Sequence, residues 1–381
     1  MKDIGLYIHI PFCKQKCYYC DFISYSDQKE KIEKYINALT KEIELESNKY
    51  KKEEYEISTI YLGGGTPSFL ESKYIENIMD IVKEYYNIKN DAEITIEINP
   101  GTVNKDKLEH YKQIGINRIS IGLQSTKNEL LKQIGRIHTY EEFLNCYELA
   151  RKVGFKNINV DLIIGIPNQT LEDVDEALNK IIELNPEHIS LYSLIVEENT
   201  IIEKMIRKKE ISLPEEEIER KMYWKSKNKL EENNYIHYEI SNFAKEGYIS
   251  KHNYNCWKQK EYLGFGIAAH SYIENNRYCN IDLLDKYISN IENEKIENNR
   301  TICEIQTEEE KQKEYMLLGL RTIEGVNIQE FKNKFIENPI YLFRKQLEKL
   351  VKEDLIEIDL NQIKLTTKGL DLANIVWEEF V

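Results

Sequence analysis

The chain is poor in the features that mark secreted and membrane proteins. Its 381 residues include only seven cysteines and seven prolines, and no run approaches the roughly 18 apolar residues that a membrane-spanning helix needs. The amino terminus, MKDIGLYIHIPF, has no basic segment followed by an apolar core and a cleavage site. We therefore expect a cytoplasmic protein without a transmembrane segment.

Positive charge is also scarce. The formal net charge is -14, because 52 lysines and arginines face 66 aspartates and glutamates. Binding to nucleic acid phosphates needs a concentrated basic face, whereas mixed runs such as KYKKEEYE are typical of solvated helix surfaces. The sequence therefore predicts no nucleic-acid partner.

The cysteines are unevenly placed. An odd number in an intracellular chain argues against a disulfide framework. Three of them, Cys13, Cys17 and Cys20, lie within eight positions. The other four are isolated singletons along the chain: Cys146, Cys256, Cys279 and Cys303. Clustered thiols in a reducing compartment indicate a metal site.

Short apolar runs alternate with charged segments of helical spacing up to about residue 195. The six runs are IGLYIHI, ISTIYL, EITIEI, INRISIG, NINVDLIIG and EHISLYSL. Six strands that are each followed by a helix predict parallel βα units, which right-handed crossovers close into a full or partial barrel. In the last of these helical segments Thr170 is a predicted N-cap, with Asp173 at the box position. The expected fold is α/β, a partial (β/α)6 barrel over residues 1–234.

The pattern changes after the barrel. Residues 235–304 form a connecting segment rich in aromatic residues and glycine, with HNYNCW at 252–257. Residues 305–381 predict three helices, a β-hairpin and a last helix, which resembles a winged-helix α+β module. Because the chain is acidic, we interpret this module as a packing or docking unit rather than a DNA-binding one.

The C-x3-C-x2-C spacing follows the first predicted strand, on the face of a barrel where active sites assemble. Three thiolates on one loop reach three corners of an iron–sulfur cubane and leave the fourth without a protein ligand. Zinc is the competing metal, but it would need a fourth ligand, for which His9 in the strand is a candidate. Three incidental buried thiols are the remaining interpretation, which their clustering disfavours.

Two other features favour a ligand site. The glycines of GGGTP, residues 63–67, follow a strand and permit close approach of a ligand to the backbone, although such a run alone marks a turn. Glu97 and Asp161 lie in predicted strands, where an unpaired buried charge is costly. Taken alone, this pair also fits the acid and base of a hydrolase. We interpret the two carboxylates as hydrogen-bonding groups for a ligand in the barrel mouth.

These motifs together carry a resemblance to a known family. The cysteine motif after YIHIPF is the signature of the radical SAM superfamily. With LGGGTPSFL, EINPGTV, NRISIGLQS and NVDLIIGIPNQT, the chain resembles the oxygen-independent coproporphyrinogen oxidase family over nearly its full length. The resemblance implies a [4Fe-4S] cluster on the three loop cysteines, with S-adenosylmethionine on the open iron.

The resemblance also implies which residues contact S-adenosylmethionine. The positions that match the first molecule's site are Tyr7, Tyr19, Gly64, Gly65, Thr66 and Glu97. The positions that match a second molecule's site are Gln124, Arg136 and Asp161. Arg136 is otherwise compatible with a place on the surface.

Two departures separate the chain from the true oxidases. Phe22 stands where the oxidases have a fourth cysteine, and the extension before their first strand is absent ahead of Tyr7. Both features resemble HemW, the haem chaperone branch of the family. That resemblance implies haem and haem-accepting proteins as partners. A porphyrinogen-converting radical SAM enzyme is the alternative, a structural zinc protein is a third interpretation, and a homodimer is left open.

The segment HNYNCW is similar to the H-N-x-x-Y-W motif of that branch, with Cys256 in the tyrosine's place. A haem site needs an axial ligand and an apolar aromatic wall. The resemblance implies that His252, Cys256 and Trp257 supply them. Packing between the barrel and the carboxyl-terminal module is the alternative role of this segment.

Overall fold

The computed structural model describes residues 1–381, and its first half is a series of six parallel strands. All six coincide with the predicted apolar runs: β1 (Lys2–Ile10), β2 (Tyr55–Gly64), β3 (Asn87–Ile98), β4 (Arg118–Gln124), β5 (Ile158–Ile164) and β6 (His188–Ser193). Each strand pairs in parallel with the next. The predicted α/β fold with a parallel sheet is therefore confirmed.

Helices follow the strands and pack on the sheet. They are α1 (Ile32–Ser47), α2 (Ser72–Tyr85), α3 (Lys105–Gln113), α4 (Asn128–Gln133), α5 (Tyr140–Val153) and α6 (Leu171–Leu184). The predicted start of α6 is confirmed, because the Thr170 side chain accepts from the Asp173 backbone and the Asp173 side chain accepts from the Thr170 backbone. The apolar faces of strands and helices share one core of 58 buried residues.

Residues 201–305 extend the same sheet at both edges. Their elements are α7 (Ile201–Arg207), α8 (Glu216–Glu232), β7 (Ile236–Glu239), β8 (Asn242–Ala244), α9 (Lys251–Trp257), β9 (Tyr262–Phe265), β10 (His270–Ile273), β11 (Asn276–Asn280), α10 (Leu284–Glu292) and β12 (Arg300–Ile305). The strand order is β12-β11-β10-β9-β1-β2-β3-β4-β5-β6-β8-β7. The sequence did not predict these six added strands, which have only three to six residues each.

The carboxyl-terminal residues form a smaller α+β unit. Its elements are α11 (Glu308–Gly319), β13 (Val326–Asn327), α12 (Ile328–Phe335), α13 (Pro339–Leu342), α14 (Arg344–Lys352), β14 (Ile356–Ile358), β15 (Gln362–Leu365), α15 (Thr367–Asp371) and α16 (Ala373–Glu378). The expected hairpin is β14–β15, to which β13 adds a third strand. Fifteen buried residues give the unit its own core. The boundaries at 234 and 304 stay predictions.

The expectation that the cysteines form no disulfide framework is wrong for one pair. Cys279 of β11 and Cys303 of β12 form a disulfide with a Cα–Cα distance of 5.9 Å. The two strands are antiparallel neighbours, so their pairing brings together residues that are 24 positions apart. Spacing in the sequence does not show such a contact. The other five cysteines are free.

None of the helices is both long and apolar enough to cross a membrane.

Candidate functional site

The cysteine loop leaves β1 at its carboxyl end and is held there by backbone hydrogen bonds. Cys13 N–H donates to the Tyr25 carbonyl at 2.9 Å, and Tyr25 N–H donates to the Pro11 carbonyl at 2.7 Å. Cys13 is buried, whereas Cys17 and Cys20 are partly exposed. The loop is thus fixed at its start, and its later thiols face accessible space.

Two hydrogen-bond donors point at the thiols. The Thr66 hydroxyl lies 3.5 Å from Cys13 Sγ, and Arg136 Nη1 lies 3.5 Å from Cys17 Sγ. Donors of this kind stabilise thiolate sulfur and tune a cluster that binds there. No three His, Cys, Asp or Glu side chains converge closely enough to hold one metal ion. A cubane does not require that convergence, since each thiolate binds a different iron. The three cysteines therefore fit an iron–sulfur cluster.

The glycine run joins the end of β2 to the cysteine loop. Gly65 N–H donates to the Ile10 carbonyl at 2.8 Å, and Thr66 N–H donates to the Phe12 carbonyl at 2.9 Å. A Cβ on Gly65 would lie 2.9 Å from the Ile10 carbonyl oxygen, so a larger residue would push the segments apart. Gly64 has φ of 109°, which favours glycine. The backbone geometry therefore favours glycine at these two positions, independently of any ligand.

Glu97 lies beside this glycine run. Its carboxylate accepts a hydrogen bond from the Tyr61 hydroxyl at 2.9 Å and one from Gly64 N–H at 3.2 Å. Burial raises the pKa of Glu97 to about 7, and the nearby charge of Asp161 adds to the increase. The Tyr7 ring stacks on Tyr61 with centroids 6.4 Å apart. These side chains form a polar and aromatic wall below the cysteine loop.

Arg136 is the centre of a second group. Its Nη2 donates to Asn99 Oδ1 at 2.7 Å and to the Gly122 carbonyl, and Asn99 Nδ2 donates to the Thr66 hydroxyl at 2.9 Å. A Cβ on Gly122 would lie within 3.1 Å of the side chains of Arg136, Asn99 and Gln124. The alternative of a surface Arg136 is therefore wrong, since the residue is buried and links the cysteine loop to β4.

Gln124, Asp161 and Tyr19 complete this region. Gln124 is buried with φ of 73°, and its Oε1 has no hydrogen-bond partner. Asp161 accepts from the Asn159 side chain at 2.7 Å and from the Ser120 hydroxyl at 3.1 Å. Burial raises the pKa of Tyr19, while the charge of Arg136 opposes that shift. Gln124 and Asp161 keep acceptor capacity for a polar ligand.

His252, the second residue of α9, lies beside the middle of β2. Its Nδ1 is 2.9 Å from the Thr59 hydroxyl, and its ring stacks on Tyr61 with centroids 5.3 Å apart. The Glu93 carboxylate accepts from the His252 backbone N–H at 3.1 Å. A Cβ on Gly5 would lie 2.9 Å from the Thr59 hydroxyl and 3.4 Å from the His252 ring. The imidazole therefore forms part of the barrel floor.

The other two residues of the HNYNCW segment contact different parts of the chain. Burial raises the pKa of the Cys256 thiol to about 11, against the nearby positive charge of Arg277. Trp257 packs on the guanidinium of Arg321 at 4.4 Å, and Trp377 of α16 packs on the same group at 4.7 Å. His252 and Cys256 are four residues apart on α9 and therefore share one of its faces, whereas Trp257 contacts Arg321. Trp257 joins the barrel to the carboxyl-terminal unit.

Several residues of the site could not be assigned from the sequence. Asn99 lies in EINPGTV, one of the motifs that carry the resemblance, but nothing in that motif marks its side chain. Tyr61 and Thr59 are two positions apart in β2, so their shared face was the only available signal. Their partners Glu97 and His252 are 36 and 193 positions away. Contacts at such separations are not visible in one sequence.

Comparisons with known proteins agree with this geometry. A model of the Radical SAM superfamily matches residues 7–181, and one of the HemN C-terminal domain matches residues 306–372. The solved structure of coproporphyrinogen III oxidase (HemN) from Escherichia coli has a TM-score of 0.85 and 25% identity, and the match covers 100% of this chain and 90% of that one. The fold and the cysteine loop define a radical SAM protein.

Two relatives identify the branch. A Bacillus subtilis protein named Heme chaperone HemW is 38% identical over 376 residues, which is 98% of each chain. A Lactococcus lactis protein of the same name is 37% identical over 380 residues, covering 100% of this chain and 98% of the relative. The chain belongs to the HemW family.

Proposed function

We propose that the chain is a cytoplasmic haem chaperone that binds haem and transfers it to acceptor proteins. The observation that carries this proposal is the full-length likeness to proteins named Heme chaperone HemW. Phe22 supports it, because this side chain is 61% exposed at the position where the resemblance expects the oxidases' fourth cysteine. Haem is the cargo in this proposal.

We propose that Cys13, Cys17 and Cys20 hold a [4Fe-4S] cluster. When bound, the cluster offers S-adenosylmethionine an open iron to coordinate. Thr66 and Arg136 donate toward the cluster sulfurs, as they already do toward the thiols. These two donors hold the cysteine loop in position relative to the neighbouring strand ends.

The residues that hold S-adenosylmethionine are also a proposal. Gly64, Gly65 and Glu97 lie together at the end of β2, where the Glu97 carboxylate can accept from an ammonium group. Tyr7 and Tyr19 flank this region. Gln124, Arg136 and Asp161 form a second polar group, which we assign to a second molecule. Glu97 and Asp161 are close enough for one charge to affect the other's pKa.

We propose His252 as the axial haem ligand. Its Nδ1 is hydrogen-bonded to Thr59, which leaves Nε2 for iron, and metal-binding histidines usually have their other nitrogen held in this way. Cys256 is a weaker candidate, since a thiol whose pKa is raised to about 11 is protonated at neutral pH. Trp257 then supports the segment from the side of the carboxyl-terminal unit.

Haem titration of two variants tests this assignment. His252→Ala should weaken haem binding at least tenfold and change the Soret spectrum, while Cys256→Tyr should bind haem with the wild-type spectrum. Cys146→Ser, in α5, is the matched control. A spectrum of thiolate-bound haem that Cys256→Tyr removes would instead assign Cys256. Unchanged haem affinity and spectra in both variants would show that the segment is structural packing.

A second function is favoured by one observation, the TM-score of 0.85 to HemN. In that alternative the protein is an oxygen-independent coproporphyrinogen oxidase-like enzyme that acts on a porphyrinogen. An anaerobic assay of porphyrinogen decarboxylation with S-adenosylmethionine and a reductant separates the two functions.

A further inference from the structure

Arg118, the first residue of β4, is a buried cation without an acceptor. Its side chain is 2% exposed, its Nε has no hydrogen-bond partner, and it takes part in no ion pair. Arg300 provides a contrast, because its side chain is 9% exposed but pairs with Glu46 at 2.6 Å. Burying an unpaired charge is costly, because the ion loses its hydration without gaining a partner. Folds rarely retain such a group without a partner.

The surroundings of Arg118 show where it points. On the neighbouring strand it pairs in register with Thr95, which pairs with Tyr61 on the next strand. Burial and then the charge of Arg118 lower the pKa of His252 to about 4, and the same two causes lower the pKa of His188. Arg118 therefore lies inside the barrel, at the floor that His252 helps to form.

Other donors on this floor also lack acceptors. The hydroxyls of Thr95 and Ser250 are buried and have no hydrogen-bond partner. Ser250 N–H donates to the Tyr238 hydroxyl at 3.4 Å, and the charge of Arg118 acts on that same tyrosine. Three side chains that can donate thus share one region with no acceptor to receive them. An anionic or carbonyl oxygen would satisfy them together.

The carboxylates of the barrel do not fill this role. Asp161 senses the charge of Arg118, but it accepts its hydrogen bonds from Ser120 and Asn159. Glu93 accepts from the backbone at the start of α9, at 3.1 Å from each of two N–H groups. Neither carboxylate accepts a hydrogen bond from the Arg118 side chain, which leaves this guanidinium free to donate to a group from outside the chain.

The space above the floor is lined by aromatic rings. Tyr192, on β6, is 39% exposed and lies two residues after Ser190, which pairs with Asp161, so its side chain is on the same face of the sheet as Asp161. Tyr61 and Tyr7 stack on the opposite wall. An aromatic wall over a cationic floor suits a planar, apolar ligand with an acidic side chain.

We propose that Arg118 binds a carboxylate of the ligand that occupies the barrel interior. The inference rests on the proposed function, in which that ligand is haem and the carboxylate is one of its propionates. His252 Nε2 then binds the haem iron, and Arg118 binds the propionate of the same haem. Thr95 and Ser250 donate to the same carboxylate or to a water bound to it.

The test compares haem with its dimethyl ester, which lacks the negative charges, under the same detergent conditions. The wild-type protein should bind haem about ten- to a hundredfold more tightly than the ester, the range of a hydrogen bond to a charged group. In Arg118→Met this preference should disappear, mainly because haem itself binds more weakly. Equal affinity of the wild type for both ligands would overturn the proposal.

A matched variant excludes a general effect of losing an arginine. Arg151 pairs with Glu187 at 2.8 Å away from the barrel interior, so Arg151→Gln should keep the full preference for haem. If Arg118→Met does not fold, Arg118→Lys takes its place, since it retains the charge but not the bidentate geometry. The preference of Arg118→Lys for haem over the ester should fall severalfold. If Arg118→Met or Arg118→Lys prefers haem over the ester as strongly as the wild type does, Arg118 contacts internal water only.

The two ligands also separate this inference from the proposed function. If neither haem nor its ester binds, the proposed function fails. If both bind equally well, the haem function stands and the role of Arg118 is wrong.

Discussion

The imidazole of His252 stacks on the ring of Tyr61, whose hydroxyl donates to Glu97. This contact joins the segment that we assign to haem and the carboxylate that we assign to S-adenosylmethionine. Both lie inside one barrel, although their residues are 155 positions or more apart in the chain. If both assignments hold, the two ligands would share one interior, with Tyr61 between the two places.

Replacing any one of Cys13, Cys17 or Cys20 by serine should abolish the reconstituted cluster. A hydroxyl is a poor replacement for a soft thiolate ligand. Iron and sulfide content after anaerobic reconstitution, with the visible spectrum, measures the loss. Cys146→Ser should retain the cluster, because this thiol is buried in α5. Full iron and sulfide in all three loop variants would contradict the assignment.

Binding of S-adenosylmethionine should strengthen as pH rises through neutrality. The pKa of Glu97 is raised to about 7, so the carboxylate is half protonated near that pH and gains its charge above it. An ionised carboxylate attracts an ammonium group more strongly. Calorimetric titrations between about pH 6 and about pH 8 measure the change. Glu97→Gln should bind more weakly and lose this dependence, and a variant with the wild-type pH profile would exclude Glu97.

Stability should fall in mild acid because of buried histidines. Burial lowers the pKa of His237 and of His252 to about 4, and that of His138 to about 3. An unfolded histidine has a pKa of about 6.5. Below that pH these histidines bind protons in the unfolded chain but stay neutral in the folded chain, so the free energy of unfolding decreases. Urea unfolding at several pH values measures the slope between about pH 6.5 and about pH 5.

His237→Gln should flatten that slope, because it removes one of these proton-binding groups. Asn333→Gln, on the exposed side of α12, is the control, because it removes no titratable group and should leave the decrease at its wild-type size. An unaltered slope in His237→Gln would show that this histidine does not contribute.

The reconstituted protein should not decarboxylate coproporphyrinogen. Phe22 cannot replace a thiol, and its exposed ring adds no acid, base or metal ligand to the cysteine loop. Anaerobic incubation with S-adenosylmethionine and a reductant, followed by chromatography of the porphyrins, measures conversion. Product formation at a rate comparable to a genuine oxidase would restore the enzyme interpretation.

The six barrel strands could be predicted because each contains a short run of apolar residues, continuous or alternating with polar ones. A strand such as β4, buried throughout, shows this pattern without any knowledge of its neighbours. The strands of residues 236–305 could not be predicted in this way. His270–Ile273, for example, has four residues, and its place depends on pairing with β9 and β11.

The site was predictable where one motif contains several of its residues. The cysteine loop and the glycine run are each local, and each adjoins a predicted strand. The contacts between motifs were not predictable, because they depend on how the strands are arranged around the barrel. Arg118 is the clearest case: in the sequence it is one arginine at a strand end, and only burial without a partner distinguishes it.

Haem transfer tests most directly whether the protein is a haem chaperone. The purified protein is titrated with haem, freed of excess, and mixed with an apo-haemoprotein whose spectrum on loading is known. We expect saturable haem binding, followed by loss of the spectrum of the haem-loaded protein and appearance of the spectrum of the loaded acceptor. Absence of saturable binding, or transfer no faster than from free haem held by an unrelated protein such as serum albumin, would contradict it.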